Sequence, residues 1–155
     1  QNSLAKVLMF NQPKRVISLD GSADYLVGNA MTTGSAASVS VWIKIPSSPG
    51  GSRRIVCNRD TGADGIDFYV TSVGSLAFYD GSTITSSAGT VTFDDTWQHV
   101  GVVIDGSDSF FFKNGAQVGS TFTIAYDPAT TQPLRLGRFS TSASGYFFGE
   151  IFDCF

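Results

Sequence analysis

The chain has 155 residues, which suits a single domain with a real core and is too short for two ordinary ones. Thirteen acids against ten Lys and Arg give a net charge of -3, and charged residues make up only 15% of the chain, so no basic face for nucleic acid is implied. Seventeen glycines, frequent Ser and Thr, and apolar residues weighted toward Val, Ile and Phe are the usage of short strands joined by turns, and no apolar run is long enough to span a bilayer.

In chain order, residues 1–15 hold an apolar run at 4–10 and then Asn11-Gln12-Pro13-Lys14-Arg15 as a connector. This segment reads as an arm that docks on a neighbour or, equally, as an extra edge strand. A strand starts at 16–19, Asp20-Gly21 turns or bulges it, and Tyr25-Leu26-Val27 continues the pairing. After a Gly/Ser/Thr-rich loop at 29–35, Val39, Val41, Ile43 and Ile45 alternate with Ser38, Ser40, Trp42 and Lys44. That is the cleanest period-two run in the chain. Prolines and glycines at 46–51 break it. The next strand, 53–58, places Ile55 and Cys57 on one face and Arg54 and Val56 on the other. Strands at 66–71 and 75–79 form a hairpin around Val73-Gly74, Asp80-Gly81 closes it, and a polar strand at 83–93 ends in a turn at Asp94-Asp95.

The stretch 97–115 organises the rest. Val100, Val102 and Ile104 share the inward face, while Asp105-Gly106 and Asn114-Gly115 are residues that tolerate the positive φ of tight hairpin turns. Phe110, Phe111 and Phe112 cannot all point one way, so both faces of this hairpin are expected to be covered. A short strand at 117–124, a long loop through Pro128 and Pro133, a strand at 134–138 and a last apolar run at 146–155 complete the pattern. The run ends without a turn or polar tail, as in one piece of a longer polypeptide. No helix-length apolar period occurs, so the fold class is all-β, a two-sheet antiparallel β-sandwich of jelly-roll type.

The run W-x-H-V-x-V-x-x-D-G at 97–106, followed by F-x-x-N-G at 111–115, resembles the central hairpin of laminin G-like domains in the concanavalin A-like lectin/glucanase group. Three further segments fit that group in order: residues 19–26 (LDGSADYL), 39–44 (VSVWIK) and 148–151 (FGEI). The resemblance covers residues 16–155 and implies a jelly roll in which the first strand lies beside the last. It leaves 1–15 as the arm.

Glucanases of this fold, by the same resemblance, cluster acids along one strand. This chain has one glutamate, Glu150, and no second acid at period two beside it, whereas glycoside hydrolysis needs two carboxyls facing one bond. A triad would depend on the one histidine, His99, for which no local nucleophile and carboxylate are written. The chain is therefore expected not to be an enzyme. Cys57 and Cys154 are expected as free thiols, with a pairing across the sandwich as the alternative. The segment 60–65 (DTGADG) is not an EF-hand, since Gly62 and Thr71 stand where ligands are due. The resemblance instead implies a calcium set at Asp67, Asp80 and Asp127. Sugar sites stack aromatic rings on a pyranose and surround it with polar groups, which marks Tyr69, Tyr79 and Phe111 with Arg54, Asn58 and Arg59 at their rim. Arg53, Arg54 and Arg59 also suit an acidic group.

These readings converge on a non-catalytic, lectin-like recognition module, extracellular or surface-exposed, that binds carbohydrate or a glycosylated surface in adhesion. The alternative is a structural or virion surface domain, such as a phage fibre or capsid decoration module, that packs on assembly neighbours or as a homo-oligomer. No nucleic acid and no membrane span belong to either reading.

Overall fold

The computed structural model describes residues 16–30, 34–60, 62, 64–87, 89–128 and 130–154, so the expected arm at 1–15 lies outside the described residues. The described strands are β1 (Ile17–Asp20), β2 (Leu26–Ala30), β3 (Ala37–Lys44), β4 (Arg53–Cys57), β5 (Asp67–Val70) and β6 (Leu76–Tyr79), then β7 (Thr83–Thr85), β8 (Trp97–Ile104), β9 (Ser109–Lys113), β10 (Ala116–Phe122), β11 (Pro133–Leu136) and β12 (Phe148–Phe152). They form two six-stranded sheets, ordered β1-β12-β3-β8-β9-β10 and β2-β11-β4-β5-β6-β7, with every strand pair antiparallel. Among the described residues no helix is long and apolar enough to cross a membrane.

The alternation in the sequence sets the first sheet. β3 and β8 pair over eight residues, Ala37 opposite Ile104 through Lys44 opposite Trp97, and every inward position from Val39 to Ile104 on these two strands is buried. Their inner faces meet the second sheet through Phe68, Val70, Leu76 and Phe78, and the Phe68 and Phe111 rings stack across the layers with centroids 6.4 Å apart. Burial of these side chains, at roughly 1.5–3 kcal/mol each, is the main force closing the sandwich. β1 pairs with β12, Ile17 opposite Ile151, so the two ends of the fold lie side by side as expected.

Three local expectations change. Asp105-Gly106 is not a two-residue turn: residues 105–108 form a four-residue connection containing a 3-10 turn, held by Asp108 N–H to Asp105 C=O and by the Ser109 hydroxyl accepting from Asp105 N–H. Asn114-Gly115, by contrast, is the tight turn, with φ of 50° and 81°. The strand expected at 83–93 is only Thr83–Thr85, because Ser86 and Thr90 turn the chain through hydroxyl and carbonyl bonds. The segment after Asp20 does not continue the β1 pairing; β2 crosses to the other sheet and pairs with β11, while Asp20 accepts N–H bonds from Ser22, Ala23 and Asp24 to turn the corner. Those bonds hold its carboxyl well below the usual range.

β4 also departs from simple alternation. Ile55, Val56 and Cys57 are all buried, because the register shifts between Arg54 and Val56 and because the loop 137–147 lies over the outer face. Cys57 and Cys154 are both free thiols.

Candidate functional site

The second sheet brings together most of the sequence-selected ligand residues. Arg54 and Tyr69 sit opposite each other on β4 and β5, facing outward, with Tyr79 on β6 and Arg59 just beyond β4. Between them lies Asp67, whose side chain is 0% exposed. Arg54 Nε and Nη2 donate to its two oxygens at 3.0 Å and 3.3 Å, and Arg59 Nε lies 3.2 Å from Oδ2 at an ion-pair distance without hydrogen-bond alignment. Arg54 stacks on Tyr69 and Phe139, with ring centroids 4.5 Å and 4.9 Å away, and Arg59 on Tyr79 and Phe139, at 4.0 Å and 4.8 Å. The cluster is assembled, but it is packed.

Its covering explains why. Phe139 comes from the 137–147 loop, which Gly145 C=O ties to Arg54 N–H and which the Ser140 hydroxyl ties to Arg59 C=O. Tyr69 is therefore buried instead of displayed on an open face, and its hydroxyl bonds Thr83. Asn58 is buried and spends its side-chain oxygen on Ile66 N–H. Phe111 belongs to the core between the sheets, and is corrected from sheet face to interior because odd positions of β9 point inward.

The acids selected for calcium do not share one site. Asp67 has both oxygens committed to guanidiniums, so a cation there would have to displace two arginines. Asp80 caps Ala125 N–H at 3.0 Å and also accepts from Ser82, while the Asp127 carbonyl accepts from Gly65 N–H at 2.7 Å and Asp127 pairs with Asp64 as an isolated bridge. Among the described residues no group of three or more His, Cys, Asp or Glu side chains stands close enough to hold an ion.

The opposite surface presents what the sequence reading passed over. On the outer face of the first sheet, cross-strand register places Phe152, Trp42 and His99 in one row and Glu150, Lys44 and Trp97 in the next. Val16, Trp42, Trp97 and Phe152 line a hollow of about 270 Å³. Both tryptophans are 37% exposed. A second hollow of about 180 Å³ lies on the same face, lined by Ser18, Lys44, Pro46, Asp95, Phe148 and Glu150 among others. Lys44 Nζ lies 2.8 Å from Glu150, 3.7 Å from Asp95 and 5.6 Å from the Trp97 centroid, and the Glu150 bond holds the ammonium above the ordinary lysine value.

Two features bear on catalysis. The Ser40 hydroxyl lies 2.7 Å from His99 Nε2, a pairing the sequence did not suggest, and the imidazole stands between Trp42 and Phe112, at centroid distances of 5.1 Å and 5.4 Å. Its described ring contacts are a hydroxyl and two aromatic rings, whereas a triad needs a carboxylate to orient the base. Glu150 and Asp95 do approach one another, but through Lys44, whose ammonium fills the space where a bond between two catalytic carboxyls would lie. The signal available for this groove was Trp42 itself, an aromatic at an outward position of the most regular strand.

A family model described as the concanavalin A-like lectin/glucanases superfamily, of laminin G type, matches residues 19–154. No curated protein matches the chain. Among solved structures, a native heptameric SAP-like pentraxin from Limulus polyphemus is 20% identical with TM-score 0.62, over 90% of this chain and 73% of that one. Domains LG4-5 of the mouse laminin alpha1 chain are 14% identical with TM-score 0.64, over 94% of this chain and 44% of that one. Domain 4 of a GH43 extracellular arabinanase from Geobacillus stearothermophilus, solved with arabinotriose, is 14% identical with TM-score 0.58, over 92% and 80%. Sialidase chains match as well, and this chain spans only about a quarter of their length. At these identities the likeness is one of fold. With the family model spanning nearly all of a two-sheet antiparallel sandwich, the chain belongs to the concanavalin A-like lectin/glucanases superfamily.

Proposed function

We propose that this domain is a non-catalytic recognition module, extracellular or surface-exposed, that binds carbohydrate through the groove on the first sheet. The observation that carries the reading is the pair of half-exposed indoles, Trp42 and Trp97, flanking a hollow of about 270 Å³ beside the Lys44, Glu150 and Asp95 side chains. Sugar recognition asks for that combination: a flat apolar ring for the pyranose face and charged or polar groups for its hydroxyls. The volume, about 270 Å³, is near the lower end of small-ligand sites, about 300 Å³. The arabinotriose in the structurally similar arabinanase domain supports sugar binding on this fold, not a particular residue set.

The test is a glycan array on the full chain, repeated with Trp42→Ala and Trp97→Ala. Groove-dependent binding of one sugar class supports the proposal, and binding that survives both changes overturns it. A second reading, packing on assembly neighbours, draws on the same surface, since Val16, Trp42, Trp97 and Phe148 are all more than a third exposed. If the two tryptophan variants alter sedimentation and leave glycan binding alone, that reading replaces the first. Measurable turnover of a glycan, lost on Glu150→Gln, would overturn the absence of catalysis.

A further inference from the structure

Resting on that reading of the groove, we propose that its ligand is a neutral oligosaccharide of more than one unit, and that the site selects against acidic sugars. The first argument is length. The Glu150, Lys44 and Trp97 row contributes to both hollows, Trp97 to the first and Lys44 and Glu150 to the second, and their linings run along β12 from Phe152 to Phe148. Four residues of extended strand cover about 13 Å, longer than one pyranose ring. Each end offers an aromatic ring, Phe152 with the indoles at one and Phe148 at the other, so successive sugar faces have successive platforms.

The second argument is charge. Among the described residues, one ammonium in the Glu150, Lys44 and Trp97 row meets two carboxylates, which leaves a net negative charge there. Lys44 is already held by both acids and is not free to pair with a uronate, a sialic carboxylate or a sulfate. The clustered arginines that suit such groups, Arg54 and Arg59, stand on the other sheet under Phe139 and are tied to Asp67. Asp20 and Ser18 on neighbouring β1 extend the face without adding a cation. Ionised carboxylates are acceptors, and neutral sugar hydroxyls are donors that satisfy them at no electrostatic cost. An anionic substituent beside Glu150 and Asp95 would instead face like charge within a few ångströms.

Calorimetric titration of the full chain with galacto-oligosaccharides of increasing length, and with galacturonate oligomers of the same lengths, tests both arguments. The neutral series is expected to tighten from one unit to three and to bind about tenfold better than the acidic series at low salt. The double variant Asp95→Asn with Glu150→Gln, checked for an unchanged melting profile, is expected to erase most of that preference. Glucose and glucuronate oligomers serve as a second matched pair. Acidic oligomers that bind as well as neutral ones, with Trp42→Ala still abolishing the signal, would overturn this inference and leave the recognition module intact. A preference that persists in the double variant would overturn the charge argument. If no oligosaccharide of any class shows groove-dependent binding, the recognition reading itself falls, and this inference with it.

Discussion

Replacing Asp67 with alanine is expected to be among the most damaging single changes on the second sheet. The carboxylate has no solvent exposure, and its two partners, Arg54 and Arg59, have side chains only 19% and 15% exposed. Without it, two like charges remain beneath Phe139, close together and largely out of water. Removing one partner of a buried ion pair costs about 3–5 kcal/mol. The cation–π contacts with Tyr69, Tyr79 and Phe139, at roughly 0.5–2 kcal/mol each, survive the change, and the residual exposure lets water reach the guanidiniums, so the lower end, about 3 kcal/mol, is expected. For a chain of this size each kcal/mol moves the melting point by about 2–4 °C, which predicts a drop of roughly 6–12 °C. Urea unfolding followed by circular dichroism measures the loss directly.

A matched replacement of all three charged residues by leucine should recover much of the stability, because no charge is then left alone. A loss below about 1 kcal/mol for Asp67→Ala would refute the reasoning, since that is the range of exposed pairs. The same variant addresses calcium. With both oxygens of Asp67 occupied, added calcium should leave the wild-type midpoint unchanged; a calcium-dependent rise that Asp67→Ala removes would place the ion there after all.

Two further expectations concern backbone packing and ionisation. Gly101 lies opposite Phe112 on the ladder, and a Cβ there would strike both the Val39 carbonyl and the Phe112 ring. Gly101→Ala is expected to cost about 1–3 kcal/mol in urea unfolding, and Phe112→Ala in the same chain should recover only part of it, because the carbonyl cannot move aside; full recovery would assign the whole clash to the ring. Burial raises both thiols, Cys154 to about 11 against an ordinary value of 9.0. A raised folded value means that the unfolded chain ionises first, so the stabilising contribution is present below pH 9 and is lost as pH rises through about 11. The urea midpoint should fall across that window, and less so in Cys154→Ser; thiol reagents reacting with the native chain as fast as with free cysteine would contradict it.

The sequence-selected cluster was legible for a local reason. Arg54, Tyr69 and Tyr79 lie on consecutive antiparallel strands, where outward residues of neighbouring β4, β5 and β6 must share a face. Its closure was not legible, because the lid over it comes from residues 137–147, far along the chain. The tryptophan groove was half written. Trp42 breaks a run of outward polar residues, but its partners Val16 and Phe152 come from opposite ends of the described fold and meet it only through β12 pairing.

Read alone, the sequence settled what depends on neighbours a few residues away: the all-β class, the inward rows of β3 and β8, the Asn114-Gly115 turn and the scarcity of paired acids. Side-chain alternation and positive φ are properties of short stretches, so they survive without knowledge of the rest. Tertiary structure decided which faces stay open, which arginines neutralise Asp67 and where β2 crosses over. Those outcomes depend on which distant strands pair and on what then covers them, and a one-dimensional pattern carries no record of either.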